Sequence, residues 1–330
     1  MVLEHPASIG ARPLQARHGD TAMSAAPGEV LIEVEACAVC RTDLQLIEGD
    51  LPAALLPVVP GHQIVGTVRE IGAGRSAIVE GDRVGVAWLA ESCGTCRFCT
   101  SDRENLCEAS RFTGWHRDGG YARFVTADHR FVHRLAPDAD PVTTAPLLCG
   151  GAIGYRSLRV AGVEPGERVG LYGFGASASL VIQIARHWGC EVAVATRQRA
   201  EQERARTLGA VWVGAYDESP PFPLDRAITF APAGDVVVAA LKALGRGGVV
   251  AVNAIHIDRI PSFAYQHLWW ERSLRSVANV TRHDVRELLR LAGDIPLHPT
   301  VRTYRLGEAN EALADLRSGS VHATAVLTPG

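Results

Sequence analysis

Lysine is nearly absent from this chain. Of its 33 basic residues, Lys242 is the single lysine and all the others are arginine. Such a bias reflects codon usage in a GC-rich genome and says nothing about partners. A surplus of either charge is missing as well, because the formal net charge is only −3. Nucleic-acid-binding domains carry a basic surplus, so no nucleic-acid partner is expected. A polybasic membrane-surface segment is excluded on the same ground. No apolar run approaches the roughly 20 residues that span a bilayer; Val236–Leu241 is among the longest. The opening stretch MVLEHPASIGARPLQARHGD has no apolar core and carries an early acid, unlike a secretory signal. A cytoplasmic protein without a membrane partner is therefore expected, and its thiols should stay reduced.

What is present divides the chain. Its 330 residues, at about 150 per domain, suggest two domains. A hydrophobic fraction of 47% and a charged fraction of 21% exclude disorder and collagen-like repeats. The first 145 residues read as strands and loops. Val30–Ala36 alternates apolar and polar residues, as a half-buried strand does, and Ile64–Ile71 and Arg83–Ala87 follow suit. Beyond Ala145 the character changes. Strands at Arg168–Gly173, Glu191–Ala195, Ala227–Phe230 and Gly248–Val252 alternate with helices at Ala176–Trp188, Arg199–Leu208 and Asp235–Leu244. That alternation means a parallel sheet built from βαβ units. From about Thr281 the chain differs again. Helices at Asp284–Ala292 and Gly307–Ser318 precede a short strand, Thr324–Leu327, which reads as a return to the first domain.

Reduced cysteines need a reason. Cys93, Cys96, Cys99 and Cys107 form C-x2-C-x2-C-x7-C. Four thiolates so close suit one tetrahedral zinc in a closed site, which holds a lobe in shape. An iron–sulfur cluster competes, but its bacterial spacing has a shorter last gap followed by proline, and Glu108 follows Cys107. Cys40, His62 and Cys149 are far apart in the sequence. Cys40 ends a strand as Cys-Arg-Thr-Asp, His62 follows the Pro60-Gly61 turn, and Cys149 stands where the parallel-sheet part begins. Two thiolates and one imidazole are a donor set of catalytic zinc, with the fourth position left open. Cys37 and Cys190 read as packing residues.

Gly173-Phe-Gly-Ala-Ser-Ala178 follows a strand and opens a helix. It is G-x-G-x-x-A, a variant of the dinucleotide fingerprint. Gly173 makes the tight turn, Gly175 admits the pyrophosphate to the helix N-terminus, where Ala176 and Ser177 lie, and Ala178 permits close packing. The next strand ends Ala195-Thr196-Arg197, with Arg199 beyond. An NAD site wants a carboxylate there for the ribose hydroxyl. None is expected here, whereas a hydroxyl and two guanidiniums suit a 2′-phosphate. NADP(H) is favoured, with NAD(H) possible.

With these motifs assembled, the chain resembles the zinc-dependent alcohol dehydrogenases of the medium-chain dehydrogenase/reductase superfamily, bacterial type. Cys40-Arg-Thr-Asp, Pro60-Gly-His-Gln, Gly81-Asp-Arg-Val, the four-cysteine lobe, Asp118-Gly-Gly-Tyr-Ala, Ala145-Pro-Leu-Leu-Cys and Tyr172-Gly-Phe-Gly-Ala-Ser-Ala carry the likeness, which spans essentially the whole chain. The resemblance implies an α/β chain with two parts. One is a GroES-like, mainly-β catalytic domain over 1–146 and 279–330, with a zinc lobe at about 91–109. The other is a Rossmann doubly wound parallel-sheet domain over 147–278. The reaction is implied to lie in the cleft between them. Cys40, His62 and Cys149 are assigned to a catalytic zinc, which makes two zinc ions per chain with the lobe. Asp43 is assigned to orient His62, Thr42 to touch the substrate hydroxyl, and Arg41 to approach the cofactor pyrophosphate. Trp88, with Leu51 and Trp115, is assigned to the substrate pocket. The expected activity is reversible hydride transfer between a small-molecule primary or secondary alcohol and its aldehyde or ketone. A homodimer or homotetramer is implied.

Two positions depart from the family pattern. Its usual histidine after C-x-x-D-x is Gln45 here, and its usual glutamate after Gly-His is Gln63. Neither change removes a metal ligand. An NADPH-dependent aldehyde reductase working mainly in reduction is the alternative within enzymes. A catalytically dead cofactor-binding protein is the alternative outside them, and it would have a broken Cys40, His62 and Cys149 set.

Overall fold

The computed structural model describes residues 1–17, 23–254, 257, 259–320 and 323–330. The chain separates into two compact units. One comprises Met1–Cys149, Asn279–Arg290 and Pro299–Gly330, and the other comprises Gly150–Ala278 and Leu291–His298. No helix among the described residues is long and apolar enough to cross a membrane.

The first unit is built around the strand Glu29–Ala38. Its alternation puts Val30, Ile32, Val34 and Ala36 fully inside. Antiparallel partners flank it: Ile64–Ile71 from Val30↔Ile71 to Cys37↔Ile64, and Phe124–Asp128 from Glu29↔Asp128 to Glu33↔Phe124. Ile64–Ile71 in turn pairs with Arg83–Val86, which pairs with Val132–Arg134. The chain end joins this sheet, because Thr324–Thr328 pairs with Ala38 and Cys37 and carries Val301–Arg305 beside it.

This unit also holds a helix where strands and loops were expected. The strand stops at Ala38, and Cys40 is the N-cap of the helix Arg41–Glu48 rather than a strand end. The Asp43 carboxylate accepts the Cys40 N–H at 2.8 Å, closing a capping box, and Gly49 at φ 87° ends the helix. Two turns are too few for a helical period to show in the sequence.

The second unit is a six-stranded parallel sheet. In space its strands run Trp212–Gly214, Glu191–Ala195, Arg168–Tyr172, Leu224–Thr229, Leu244–Val252, Ser273–Ser276. Numbered along the chain, that is the order 3-2-1-4-5-6 of the doubly wound dinucleotide-binding sheet. Its direction of winding reverses between Arg168–Tyr172 and Leu224–Thr229, so a crevice opens at their carboxyl ends. The helix Ala176–His187 starts there. Val181, Ile182, Ile184 and Ala185 bury one flank of it, and its end matches the expected stop at Gly189 to within two residues.

Candidate active site

Three short structures bring one cluster together in the first unit. The helix cap supplies Cys40, the turn before Ile64–Ile71 supplies His62, and the last residue of the unit's first segment supplies Cys149. Cys40 Sγ lies 4.0 Å from Cys149 Sγ, and His62 Nε2 lies 3.4 Å from the same sulfur. A tetrahedral zinc with sulfur at about 2.3 Å and nitrogen at about 2.0 Å has ligand–ligand edges near 3.8 and 3.5 Å. The three donor atoms fit that ion.

The electrostatics follow from the crowding. The adjoining Cys149 thiol pulls the Cys40 thiol well below the usual range, against the effect of burial. Cys149 moves well above it, because its hydrogen bond to Cys40 and its burial both favour the proton. Burial pulls His62 down, but the Asp43 carboxylate and Cys40 outweigh it and push the imidazole up to about 10. Protons held this way are the ones that a metal displaces on binding.

Asp43 Oδ1 sits 3.0 Å from His62 Nδ1, and both side chains are buried. Thr42 Oγ1 is 3.7 Å from Cys40 Sγ. Arg41 is exposed at the start of the same helix. Gln45 is half-buried on this helix, and its carbonyl accepts the Leu51 N–H at 3.0 Å. The Gln63 amide is buried and donates to Ala38 O at 3.2 Å, so it ties the turn to the strand end.

Trp88 meets His62 edge to face at 4.7 Å between ring centroids. Phe112 stacks on Trp88 at 5.0 Å and on Trp115 at 5.7 Å, and Trp115 Nε1 donates to Pro52 O at 2.8 Å. An aromatic wall thus starts at a candidate ligand and runs toward the loop that carries Leu51. Phe112 was not singled out from the sequence, where a lone phenylalanine gives no signal. Tyr121, in the Asp118-Gly-Gly-Tyr-Ala motif, had no expected role; its buried hydroxyl donates to Asp43 Oδ2 at 3.2 Å.

The four-cysteine lobe is equally compact. Cys93 Sγ and Cys96 Sγ lie 3.8 and 3.6 Å from Cys99 Sγ, and all four sulfurs lie within 4.8 Å of one another. The backbone N–H groups of Thr95 and Cys96 aim at Cys93 Sγ, and with the Thr95 hydroxyl they bring that thiol down to about 6. A thiolate prepared in this way suits zinc.

In the second unit, Gly173 turns at φ 92°, and a Cβ there would meet Ala231 N at 2.9 Å. Gly175 is the N-cap of Ala176–His187, and a Cβ on it would meet nothing within 4 Å. Open space beside a helix N-terminus fits a pyrophosphate. Ser177 is half-buried and Ala178 fully buried in the first turn. The Thr229 hydroxyl, buried at the carboxyl end of its strand, has no hydrogen-bond partner among the described residues. Arg204, unmarked in the sequence reading, donates to Phe174 O at 2.8 Å and braces the turn.

Contrary to the expectation of none, a carboxylate does stand at the end of Glu191–Ala195. The Thr196 hydroxyl donates to Glu201 Oε2, so it is occupied by an acid. The helix Arg199–Thr207 folds back over the strand end and returns Glu201 to it. Arg197 is exposed, and its guanidinium lies 5.8 Å above the Tyr216 ring.

The GroES-like domain of alcohol dehydrogenases matches residues 26–138. The chain is 47% identical over 308 residues to the probable alcohol dehydrogenase AdhA of Mycobacterium tuberculosis (strain CDC 1551 / Oshkosh), covering 92% of this chain and 89% of that protein. It is 33% identical to an alcohol dehydrogenase of Geobacillus stearothermophilus, covering 91% of each. The cobalt- and zinc-bound thermostable alcohol dehydrogenase from Pyrobaculum aerophilum superposes with a TM-score of 0.87 at 26% identity, covering 99% of this chain and 98% of that one. With its GroES-like unit and its doubly wound sheet, the chain belongs to the alcohol dehydrogenases of the medium-chain dehydrogenase/reductase superfamily.

Proposed function

We propose that the protein is a zinc-dependent alcohol dehydrogenase that interconverts a primary or secondary alcohol with its aldehyde or ketone, with NADP(H) favoured over NAD(H). The observation that carries the reading is the convergence of Cys40, His62 and Cys149 with donor atoms within 4.8 Å of one another. A solved relative described as cobalt- and zinc-bound supports it. We assign the first unit, Met1–Cys149, Asn279–Arg290 and Pro299–Gly330, to catalysis and the second, Gly150–Ala278 with Leu291–His298, to the dinucleotide, in place of the boundaries at 146 and 278 expected from the sequence.

When bound, zinc lowers the pKa of a substrate hydroxyl as a Lewis acid, and the nicotinamide accepts hydride. Cys40 Sγ, His62 Nε2 and Cys149 Sγ are the atoms assigned to hold the ion. Asp43 keeps the His62 proton on Nδ1, which leaves the Nε2 lone pair free. The Thr42 hydroxyl is assigned to receive the substrate proton. Trp88 packs edge to face against His62. The second zinc is assigned to Cys93, Cys96, Cys99 and Cys107. Gly173, Gly175 and the helix start at Ala176 are assigned to the pyrophosphate, with Arg41, and Arg197 and Arg199 to a 2′-phosphate. A cytoplasmic homodimer or homotetramer is the assembly proposed.

Metal analysis and steady-state kinetics in both directions test this. Two zinc ions per chain are expected, with turnover that Cys40→Ser abolishes and a higher kcat/KM for NADPH than for NADH. One zinc per chain, or full turnover in Cys40→Ser, overturns the metal assignment. A much higher kcat/KM for NADH overturns the cofactor assignment.

A further inference from the structure

We propose that Tyr121 is a positioning residue for His62 that acts through the Asp43 carboxylate. The proposal rests on the reading that Cys40, His62 and Cys149 hold zinc.

Asp43 is 2% exposed, so its carboxylate must find its hydrogen bonds within the protein. Oδ1 faces His62 Nδ1 at 3.0 Å. Oδ2 accepts the Cys40 N–H at 2.8 Å and the Tyr121 hydroxyl at 3.2 Å. A carboxylate turns easily about its last bond, because that torsion has no deep wells. Two donors on Oδ2, from different directions in the chain, hold the plane so that Oδ1 stays on the imidazole. Removing one leaves a single backbone donor to resist rotation.

The tyrosine is itself held by the turn that carries His62. Gly119 N–H donates to Val59 O at 2.7 Å, Gly120 N–H to Gly61 O at 2.9 Å, and Tyr121 N–H to Pro60 O at 3.0 Å. A Cβ on Gly61 would come within 2.3 Å of Tyr121 Cδ1, and a Cβ on Gly119 within 2.0 Å of Gly61 O. Glycine at both places lets the two segments lace together. Tyr121 therefore touches the backbone before His62 with its ring, and the acid that orients the imidazole with its hydroxyl. Phenylalanine would keep the first role and lose the second.

The test compares wild type with Tyr121→Phe by following zinc release into dipicolinate per chain, alongside kcat and the melting temperature. Tyr121→Phe should release one of its two zinc ions about tenfold faster, since one hydrogen bond to a charged group that supports a ligand is lost. Its kcat should fall several-fold while the melting temperature barely moves. In an Asp43→Asn background, Tyr121→Phe should add nothing to the release rate. Wild-type release in Tyr121→Phe, or the same acceleration persisting in Asp43→Asn, shows that the tyrosine only fills space. A wild-type chain that holds no ion at this set overturns the zinc assignment itself, and wild-type metal content alone reports that outcome.

Discussion

Two side chains carry the charge handling proposed for this alcohol dehydrogenase. Gln45 stands at the position where the family resemblance implies a histidine that passes the substrate proton to water. An amide has no usable pKa near neutrality, so solvent base must take the proton, and oxidation should be fastest at alkaline pH. Gln45→His should raise kcat for oxidation at pH 7 about tenfold, the low end of what a positioned base contributes. The gain should shrink as pH rises, and superimposable pH–kcat profiles would rule the position out. Glu201 engages the Thr196 hydroxyl, so under the proposed NADP(H) reading a 2′-phosphate would be left to Arg197 and Arg199, with the acid opposing it. Arg197→Ala should raise KM for NADPH more than for NADH. Glu201→Gln should shift the kcat/KM ratio toward NADPH by about three- to tenfold, because one like charge near a phosphate is removed under partial solvent screening. An unchanged ratio in Glu201→Gln would leave the acid with a purely structural task at Thr196.

Elements respond to pH through what they bury. His133 lies on Val132–Arg134, paired at Gly85, and is 6% exposed. Burial, followed by the charges of Arg286 and Arg282, lowers its pKa to about 3. The unfolded chain takes up that proton near pH 6.5, so the folded state loses stability as pH falls from about 6.5 toward 3. At pH 5 the loss amounts to about 2 kcal/mol. His133→Asn should therefore show a smaller fall in melting temperature between pH 7 and pH 5 than wild type. Equal falls would mean that other groups set the acid limit. The same scale shows what the sequence discloses. Strands such as Ile64–Ile71 and the helix Ala176–His187 were legible because a periodic pattern of apolar residues faces a core. The helix Arg41–Glu48 was not, since two turns anchored by a cap give no period. The two cysteine-containing clusters were legible because cysteine and histidine carry their chemistry in their identity, and the fold brings each set together. Glu201, Arg204 and Tyr121 were not, because a carboxylate, a guanidinium or a phenol has a role only once the fold supplies its partner.

At the scale of the whole molecule, each compact unit packs apolar residues of its own, and each is proposed to take its own ligand. Val30, Ile32, Ile64, Val84 and Leu327 pack in the first, and Tyr172, Leu224, Ala227, Leu241 and Val250 in the second. Both cysteine-containing groups proposed to hold zinc lie in the first unit, and the Gly173–Ala178 turn proposed for the dinucleotide lies in the second. A ligand stabilises the unit that binds it by RT ln(1 + [L]/Kd), about 2.7 kcal/mol at a hundredfold excess over Kd. Each cargo should therefore move its own unfolding transition. In calorimetry, stripping zinc with a strong chelator, or the substitution Cys93→Ser, should lower the transition of the first unit, because a structural zinc contributes folding free energy directly. NADPH should raise the transition of the second unit in both the zinc-loaded and the stripped protein. A single transition that both treatments shift together would show instead that the two cores melt as one, and that the metal lobe supports the dinucleotide unit as much as its own.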